Sequence, residues 1–314
     1  MMLSLQRSFG VRLALSGLVL AMALASSTAV AAASKETAVK PPQIQLDFEK
    51  YTLSNGLDVI LREDHRLPLV AVNIWYHVGP ANEAVGRTRF AHLFEHMMFQ
   101  SSGHVGEDQY WKYMEGAGAS FINGTTDADR TNYLEDVPSN QLEMALWLES
   151  DRMGFLLDKI TAASLANQQD VVRNERRQGE GQPYSVFWLN YNRAFYPKGH
   201  PYDHSVIGEH EDLVNASLDE VKDFFRTYYT PNNATLCISG DFDPATTKQW
   251  IEKYFAAIPP GPPVVKTAAW IPEMTQEKRL TMQDHVQLTR LYWAWHVPPA
   301  FQDGSADLDL ATRI

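Results

Sequence analysis

The spacing of hydrophobic residues predicts a mixture of strands and helices between residues 48 and 258. Alternating or continuous apolar runs predict strands over residues 48–53, 57–62, 70–78, 119–123, 131–136 and 234–240. Apolar residues at helical spacing predict helices over residues 90–99, 106–115, 139–157, 161–178, 218–229 and 245–258. We expect residues 179–208 to be irregular.

A proline-rich stretch interrupts this pattern. The sequence Pro-Pro-Gly-Pro-Pro begins at Pro259 and predicts a linker over residues 259–276, which separates a domain at 44–258 from a segment at 277–314. Within that segment, residues 277–284 and 287–297 are expected to form two strands.

The segment after the linker weakly repeats the earlier sequence. The residues around His296 resemble those around His77, an offset of 219 (296 − 77). We therefore expect the truncated start of a second domain homologous to the first. At this offset His92 falls on Ala311, so the second copy lacks the histidines found at 92 and 96, and we expect it to be non-catalytic.

The first 33 residues have the features of a secretory signal peptide. Two arginines precede an apolar run at 13–24, and small residues at 29–33 offer cleavage sites. A membrane anchor is the less favoured alternative, because the run is too short to cross a bilayer. Residues 34–43 then form a short tether. We expect a periplasmic or secreted protein that has no membrane contact after cleavage.

Net charge narrows the choice of partners. The formal charge is −11, and removing the two arginines of the leader makes it −13 (−11 − 2). Such an acidic chain is a poor partner for nucleic acid.

The chemistry-bearing motif lies at residues 90–99. His92 and His96 are four residues apart, so on a helix both imidazoles lie on one face and can bind one metal ion. Zinc prefers nitrogen ligands, and a catalytic zinc takes three protein ligands plus a water. Glu95 borders the same face, where it could hold that water and accept its proton. The alternative is a buried helix whose histidines only form hydrogen bonds.

Two carboxylates are candidates for a third ligand. Glu149 and Glu175 each occupy the inward face of a predicted helix, where a carboxylate needs a partner. Their spacing in the sequence does not show which of the two is the third ligand. For Glu149 we favour a buried ion pair, for example with Arg152 or Arg173.

With these motifs in view, residues 48–258 resemble the pitrilysin/insulinase family of zinc metallopeptidases. The resemblance is strongest to short bacterial members related to mitochondrial processing peptidase. Five segments carry it, in the family's order: 90–96, 123–133, 170–177, 200–208 and 229–233.

The resemblance assigns roles to several residues. It implies that Glu175, 79 residues after His96 (175 − 96), is the third ligand of a single Zn²⁺. Gln168 stands where many members carry a second glutamate that supports the site, so the surroundings of the metal are less acidic in this chain. The segment with Ala119, Phe121 and Asn123 resembles the family's edge strand, which binds substrate as an added strand.

The family also implies an α+β fold, in which an antiparallel-rich mixed sheet is flanked by helices. Two such halves form a clamshell, so a closed cleft needs a second homologous domain or a partner chain. We therefore expect an exported zinc metalloendopeptidase that acts on peptides or unfolded polypeptides. Two alternatives stay open: a non-catalytic partner subunit of a two-chain peptidase, and an inert fragment of a longer peptidase.

Overall fold

A computed structural model describes residues 45–313 of the chain, except 85, 267 and 269. The predicted signal peptide at 1–33 and the tether at 34–43 lie outside the described residues. Within the described part, no helix is long and apolar enough to cross a membrane.

Six strands form one sheet, in the order β1-β2-β6-β3-β5-β4. Their bounds are β1 Glu49–Thr52, β2 Asp58–Glu63, β3 Leu69–Tyr76, β4 Phe121–Asp127, β5 Arg130–Pro138 and β6 Ala234–Gly240. All neighbouring strands are antiparallel except β2 and β6, which are parallel. This sheet, with helices against it, confirms the predicted α+β fold with an antiparallel-rich mixed sheet.

The helices of the described residues are α1 Phe90–Met97, α2 Gln109–Gly116, α3 Leu142–Phe155, α4 Ala162–Glu180, α5 Ser185–Phe195, α6 His210–Val214, α7 Leu218–Tyr228, α8 Pro244–Phe255 and α9 Ser305–Ala311. The core lies between one face of the sheet and helices α1, α2, α3, α4, α7 and α8. Along β3, Val70, Val72, Ile74 and Tyr76 are fully buried, because alternate residues of a strand point to the same face.

Helix α1 is largely buried against the sheet. Six of its eight residues are buried. Phe94 packs against the rings of Phe225 and Tyr229, with centroid distances of 5.3 and 5.0 Å. The hydroxyl of Tyr133 on β5 donates to the carbonyl of Phe94 at 2.9 Å. The helix that carries the histidine motif is thus fixed from both sides.

The structure differs from the sequence predictions in three regions. Residues 179–208 are not irregular throughout, because α5 lies within them. The aromatic residues Phe187, Trp188, Tyr191 and Phe195 of this helix follow helical spacing, a signal that the prediction missed. The strand predicted at 119–123 instead covers Phe121–Asp127, and Ala119 precedes it. The two strands predicted after the linker are absent from the described residues 277–297.

The segment after the linker lies against α5 without pairing to the sheet. Tyr292 stacks on Phe187 of α5 at a centroid distance of 3.7 Å, and the hydroxyl of Tyr184 donates to the carbonyl of Leu288 at 3.0 Å. Trp293 and Trp295 point outward and are 71% and 68% exposed. An extended run with no neighbouring strand lacks the ladder of hydrogen bonds that defines a strand, which explains the failed prediction.

Candidate metal centre

The start of α1 is fixed by a carboxylate from outside the helix. Glu83 accepts hydrogen bonds from the backbone N–H groups of Arg89 and Ala91, both at 2.9 Å. These donors have no partner inside the helix, and a negative charge is favourable at a helix N-terminus. Arg89 itself adopts a left-handed conformation with φ 83°. Glu83 therefore fixes where the helix begins and which way its histidines face.

His92 and His96 lie one turn apart on α1 and meet Glu175 from α4. The two Nε2 atoms are 3.4 Å apart. Oε2 of Glu175 lies 3.5 Å from Nε2 of His92 and 3.2 Å from Nε2 of His96. Within the described residues these three side chains form the one group of histidine, cysteine or acidic residues close enough to share a metal ion.

The spacing of these donors fits Zn²⁺. Bonds of about 2.0–2.1 Å in a tetrahedron place the ligand atoms about 3.3 Å apart. The three observed separations, from 3.2 to 3.5 Å, match that edge length. Two neutral nitrogens and one carboxylate oxygen are also the donor types that catalytic zinc accepts.

The electrostatics of the group favour the form that binds metal. Burial, reinforced by the neighbouring His96, lowers the pKa of His92 to about 4, so its imidazole is neutral near pH 7. A hydrogen bond from His96 lowers the pKa of Glu175, which keeps that carboxylate ionised. A neutral imidazole and an anionic carboxylate can bind a cation without first releasing a proton.

Glu95 stands beside these ligands and has a partner that the sequence did not reveal. The hydroxyl of Thr126 on β4 donates to Oε2 of Glu95 at 2.5 Å. Burial raises the pKa of Glu95, and this hydrogen bond opposes that rise. A Cβ added to Gly124 would lie 3.1 Å from Cγ of Glu95 and 2.9 Å from the ring of Phe99, so glycine allows β4 to approach α1 closely.

The other candidate ligand is engaged elsewhere. Glu149 is fully buried and accepts a hydrogen bond from Nε of Arg152 at 2.8 Å, with a second, short one from Nη2. This is the ion pair favoured from the sequence. Arg173, the alternative partner, pairs with Asp170.

The predicted substrate and supporting residues lie on two elements. Strand β4 is an edge of the sheet, and its partner β5 places Asn123 opposite Leu134. Phe121 is 45% exposed and Asn123 is also exposed. Ala119 lies just before the strand, where its N–H donates to the carbonyl of Met114 at 3.0 Å. Gln168 is buried on α4 and, seven residues before Glu175, lies on the same side of the helix.

Two domain families, both of M16 peptidases, match the sequence. Insulinase (peptidase family M16) matches residues 58–204, and the peptidase M16 inactive domain matches residues 215–314. The zinc protease PqqE of Helicobacter pylori is 26% identical over 271 residues, which cover 85% of this chain and 60% of PqqE. The beta subunit of the mitochondrial-processing peptidase of Lentinula edodes is 24% identical over 208 residues, 66% of this chain and 44% of that subunit.

Solved structures agree with this match. The crystal structure of a protease from Helicobacter pylori superposes with a TM-score of 0.67 at 26% identity, over 72% of this chain and 54% of that one. The chain thus spans between 44% and 60% of the length of these relatives.

Proposed function

Because the chain belongs to the insulinase family of peptidases, M16, we propose that it is a zinc-dependent metalloendopeptidase in which Glu95 is the general base. One observation carries this proposal. The donor atoms of His92, His96 and Glu175 lie at the spacing of a tetrahedral zinc site, with the half-buried carboxylate of Glu95 beside them.

In this proposal His92, His96 and Glu175 hold one Zn²⁺. When bound, zinc supplies a Lewis acid that polarises the peptide carbonyl and lowers the pKa of water towards ~7. Glu95 orients a water molecule and accepts a proton from it as the oxygen attacks the carbonyl carbon. Glu95 then donates that proton to the nitrogen of the leaving amine, which breaks the peptide bond and restores the carboxylate.

The open edge of β4 supports an extended peptide as substrate. A peptide that adds to this edge pairs through its main chain, so affinity needs little sequence preference. We propose that the backbone of the segment with Ala119, Phe121 and Asn123 makes these contacts. The seven-residue edge strand and its exposed Phe121 fit a peptide or an unfolded polypeptide.

We further propose that a second homologous domain or a partner chain completes the cleft, and that the protein acts after export. The exposed Trp293 and Trp295 support the first point, since large apolar side chains are normally covered in a finished interface. A separately expressed M16 inactive domain from a relative should raise peptide turnover and reduce self-association. Unchanged turnover with a domain that demonstrably binds would contradict the need for it. The leader-like first 33 residues support export, and fractionation of the producing cells tests it.

The central experiment compares two substitutions on the same samples. Glu95→Gln should retain zinc and lose peptide hydrolysis, because Glu95 acts on water and not on the metal. Glu175→Gln should lose zinc affinity strongly, because it removes both a bond and a compensating charge. Glu180→Gln, on the same helix but outside the donor group, is the matched control.

Zinc content, affinity by chelator competition and cleavage of a quenched fluorescent peptide library should be measured on each variant. Loss of zinc from the Glu95 variant would make Glu95 a ligand and refute its assigned role. Full zinc binding with no hydrolysis by the wild type, even with a second domain present, would favour a non-catalytic partner subunit.

A further inference from the structure

We propose that Thr126 is a positioning residue, which holds Oε2 of Glu95 and leaves Oε1 as the oxygen that takes the proton from the attacking water. The inference rests on the proposed function. The proton of the water O–H bond passes to Oε1, and the electron pair of that bond stays on the oxygen that attacks the carbonyl carbon. The same proton later leaves Oε1 for the amine.

The contact that carries the inference is specific to one oxygen. The hydroxyl of Thr126 donates to Oε2 of Glu95 at 2.5 Å. In the described part of the chain, the structure gives Oε1 no hydrogen-bond partner. The two oxygens of one carboxylate are therefore unequal before any substrate binds, and Oε1 keeps its full accepting capacity.

The position of Thr126 is set by the core and not by its own side chain. In the β4–β5 ladder Thr126 lies opposite Thr131, which is fully buried. The hydroxyl of Thr131 donates to the carbonyl of Val78 at 3.0 Å, and that of Tyr229 donates to Thr131 at 3.5 Å. The backbone at Thr126 is thus held rigidly, so its hydroxyl can act as a fixed donor.

Without this donor, Glu95 would lose its main restraint. A glutamate side chain has three rotatable bonds, and α1 fixes only its Cα. Gly124 leaves room for the stem of Glu95 but cannot hold its carboxylate. A base displaced by about 1 Å can lose about 100-fold in rate. Thr126 therefore acts on the rate of proton transfer, while the metal donors on α1 and α4 do not touch it.

The neighbouring threonine supplies a matched control. Thr125 points to the opposite face of the strand, where its hydroxyl donates to Oδ1 of Asn132 at 2.6 Å and accepts from Arg130. Both threonines belong to the same hairpin and each loses a hydroxyl on change to valine. Only Thr126 reaches Glu95, so any difference between the two variants reports on that contact.

The kinetic experiment compares Thr126→Val, Thr126→Ser and Thr125→Val in the full chain, with the second domain added where it raises turnover. Thr126→Val should lower kcat about 10- to 100-fold and leave KM and zinc affinity unchanged. Thr126→Ser keeps the hydroxyl and should recover most of kcat. Thr125→Val should keep kcat within about twofold. Equal losses in the two valine variants would overturn the inference.

A structural experiment decides the inference without turnover. Crystal structures of the zinc-loaded wild type and Thr126→Val should show one Glu95 conformer in the first and several in the second. An unchanged, single conformer of Glu95 in the valine variant would refute a positioning role. If the wild type cleaves no peptide, the proposed function fails, and these structures still decide whether Thr126 positions Glu95.

Discussion

Changing Glu135 to glutamine should stabilise the protein near pH 7. Glu135 lies on the core face of β5 and is 1% exposed. Arg152 lies 3.8 Å from it but gives its two hydrogen bonds to Glu149, so two buried acids share one cation. Burial, and then the charge of Glu149, raise the pKa of Glu135 well above its usual value.

The direction of the effect follows from proton binding. A glutamate whose pKa is raised on folding binds more protons in the folded state than in the unfolded state. Its unfavourable contribution is absent well below pH 4.5, where the acid is protonated in both states, and grows as pH rises towards the folded pKa. The slope for one proton is about 1.4 kcal/mol per pH unit.

The Glu135→Gln variant mimics the protonated acid at every pH. Relative to the wild type it should therefore gain up to about 2.7 kcal/mol between pH 5 and pH 7. For a domain of this size that gain corresponds to roughly 5 to 10 °C in Tm.

The assay is urea unfolding at pH 5, 6 and 7, followed by tryptophan fluorescence. A chelator should be present, so that metal binding adds no pH dependence of its own. Glu115→Gln on α2, at an exposed position, removes the same formal charge and is the control. Parallel pH profiles for the wild type and Glu135→Gln would show that Glu135 is ionised in the folded protein and refute the reasoning.

Three further predictions concern the surroundings of the metal helix. Hydrogen bonding to Glu83 raises the pKa of His204, so its stabilising effect is present below about pH 6.5 and is lost as pH rises through the folded pKa. His204→Gln should accordingly lower Tm at pH 6 and not at pH 9, whereas a constant loss would contradict a charged histidine. Gly208→Ala should lower the free energy of unfolding in urea by roughly 2 to 4 kcal/mol, because φ is 54° and the new Cβ would lie 2.2 Å from Cγ of Arg89. Gly199→Ala is the control: its φ is 85° but the space around it is open, so the loss should be about 1 kcal/mol. Chelation of bound metal should lower Tm, and Zn²⁺ but not Mg²⁺ should restore it; equal rescue by Mg²⁺ would argue against a histidine site.

Local sequence was sufficient for the part of the site that lies within one helix. His92, Glu95 and His96 are close in sequence, so helical spacing alone places them on one side of α1. Glu175 comes from a separate helix, and the sequence pattern offered Glu149 equally. The choice came from the family resemblance, and the structure brings Glu175, not Glu149, to the histidines.

Contacts that depend on how strands and helices pack together could not be predicted from the sequence. Thr126 is 31 residues from Glu95, and their contact depends on the register of β4 and on its distance from α1. A strand shifted by one residue would present Thr125 instead. The polar tract at 123–133, which also matches the family, was the signal that could have directed attention to Thr126.

The two helices that supply the donors are anchored very differently, and this separates metal binding from base positioning. Helix α1 buries six of its eight residues, whereas α4 buries only Leu165, Gln168 and Val172 of its nineteen. The histidines and Glu95 therefore stand on a rigid element, while Glu175 stands on one that can shift its docking at lower cost. The carboxylate of Glu175 can adjust to the ion without moving Glu95, because Thr126 on β4 holds Glu95 in place. Zinc affinity should thus depend mainly on how α4 docks, and the rate of proton transfer on how β4 meets α1.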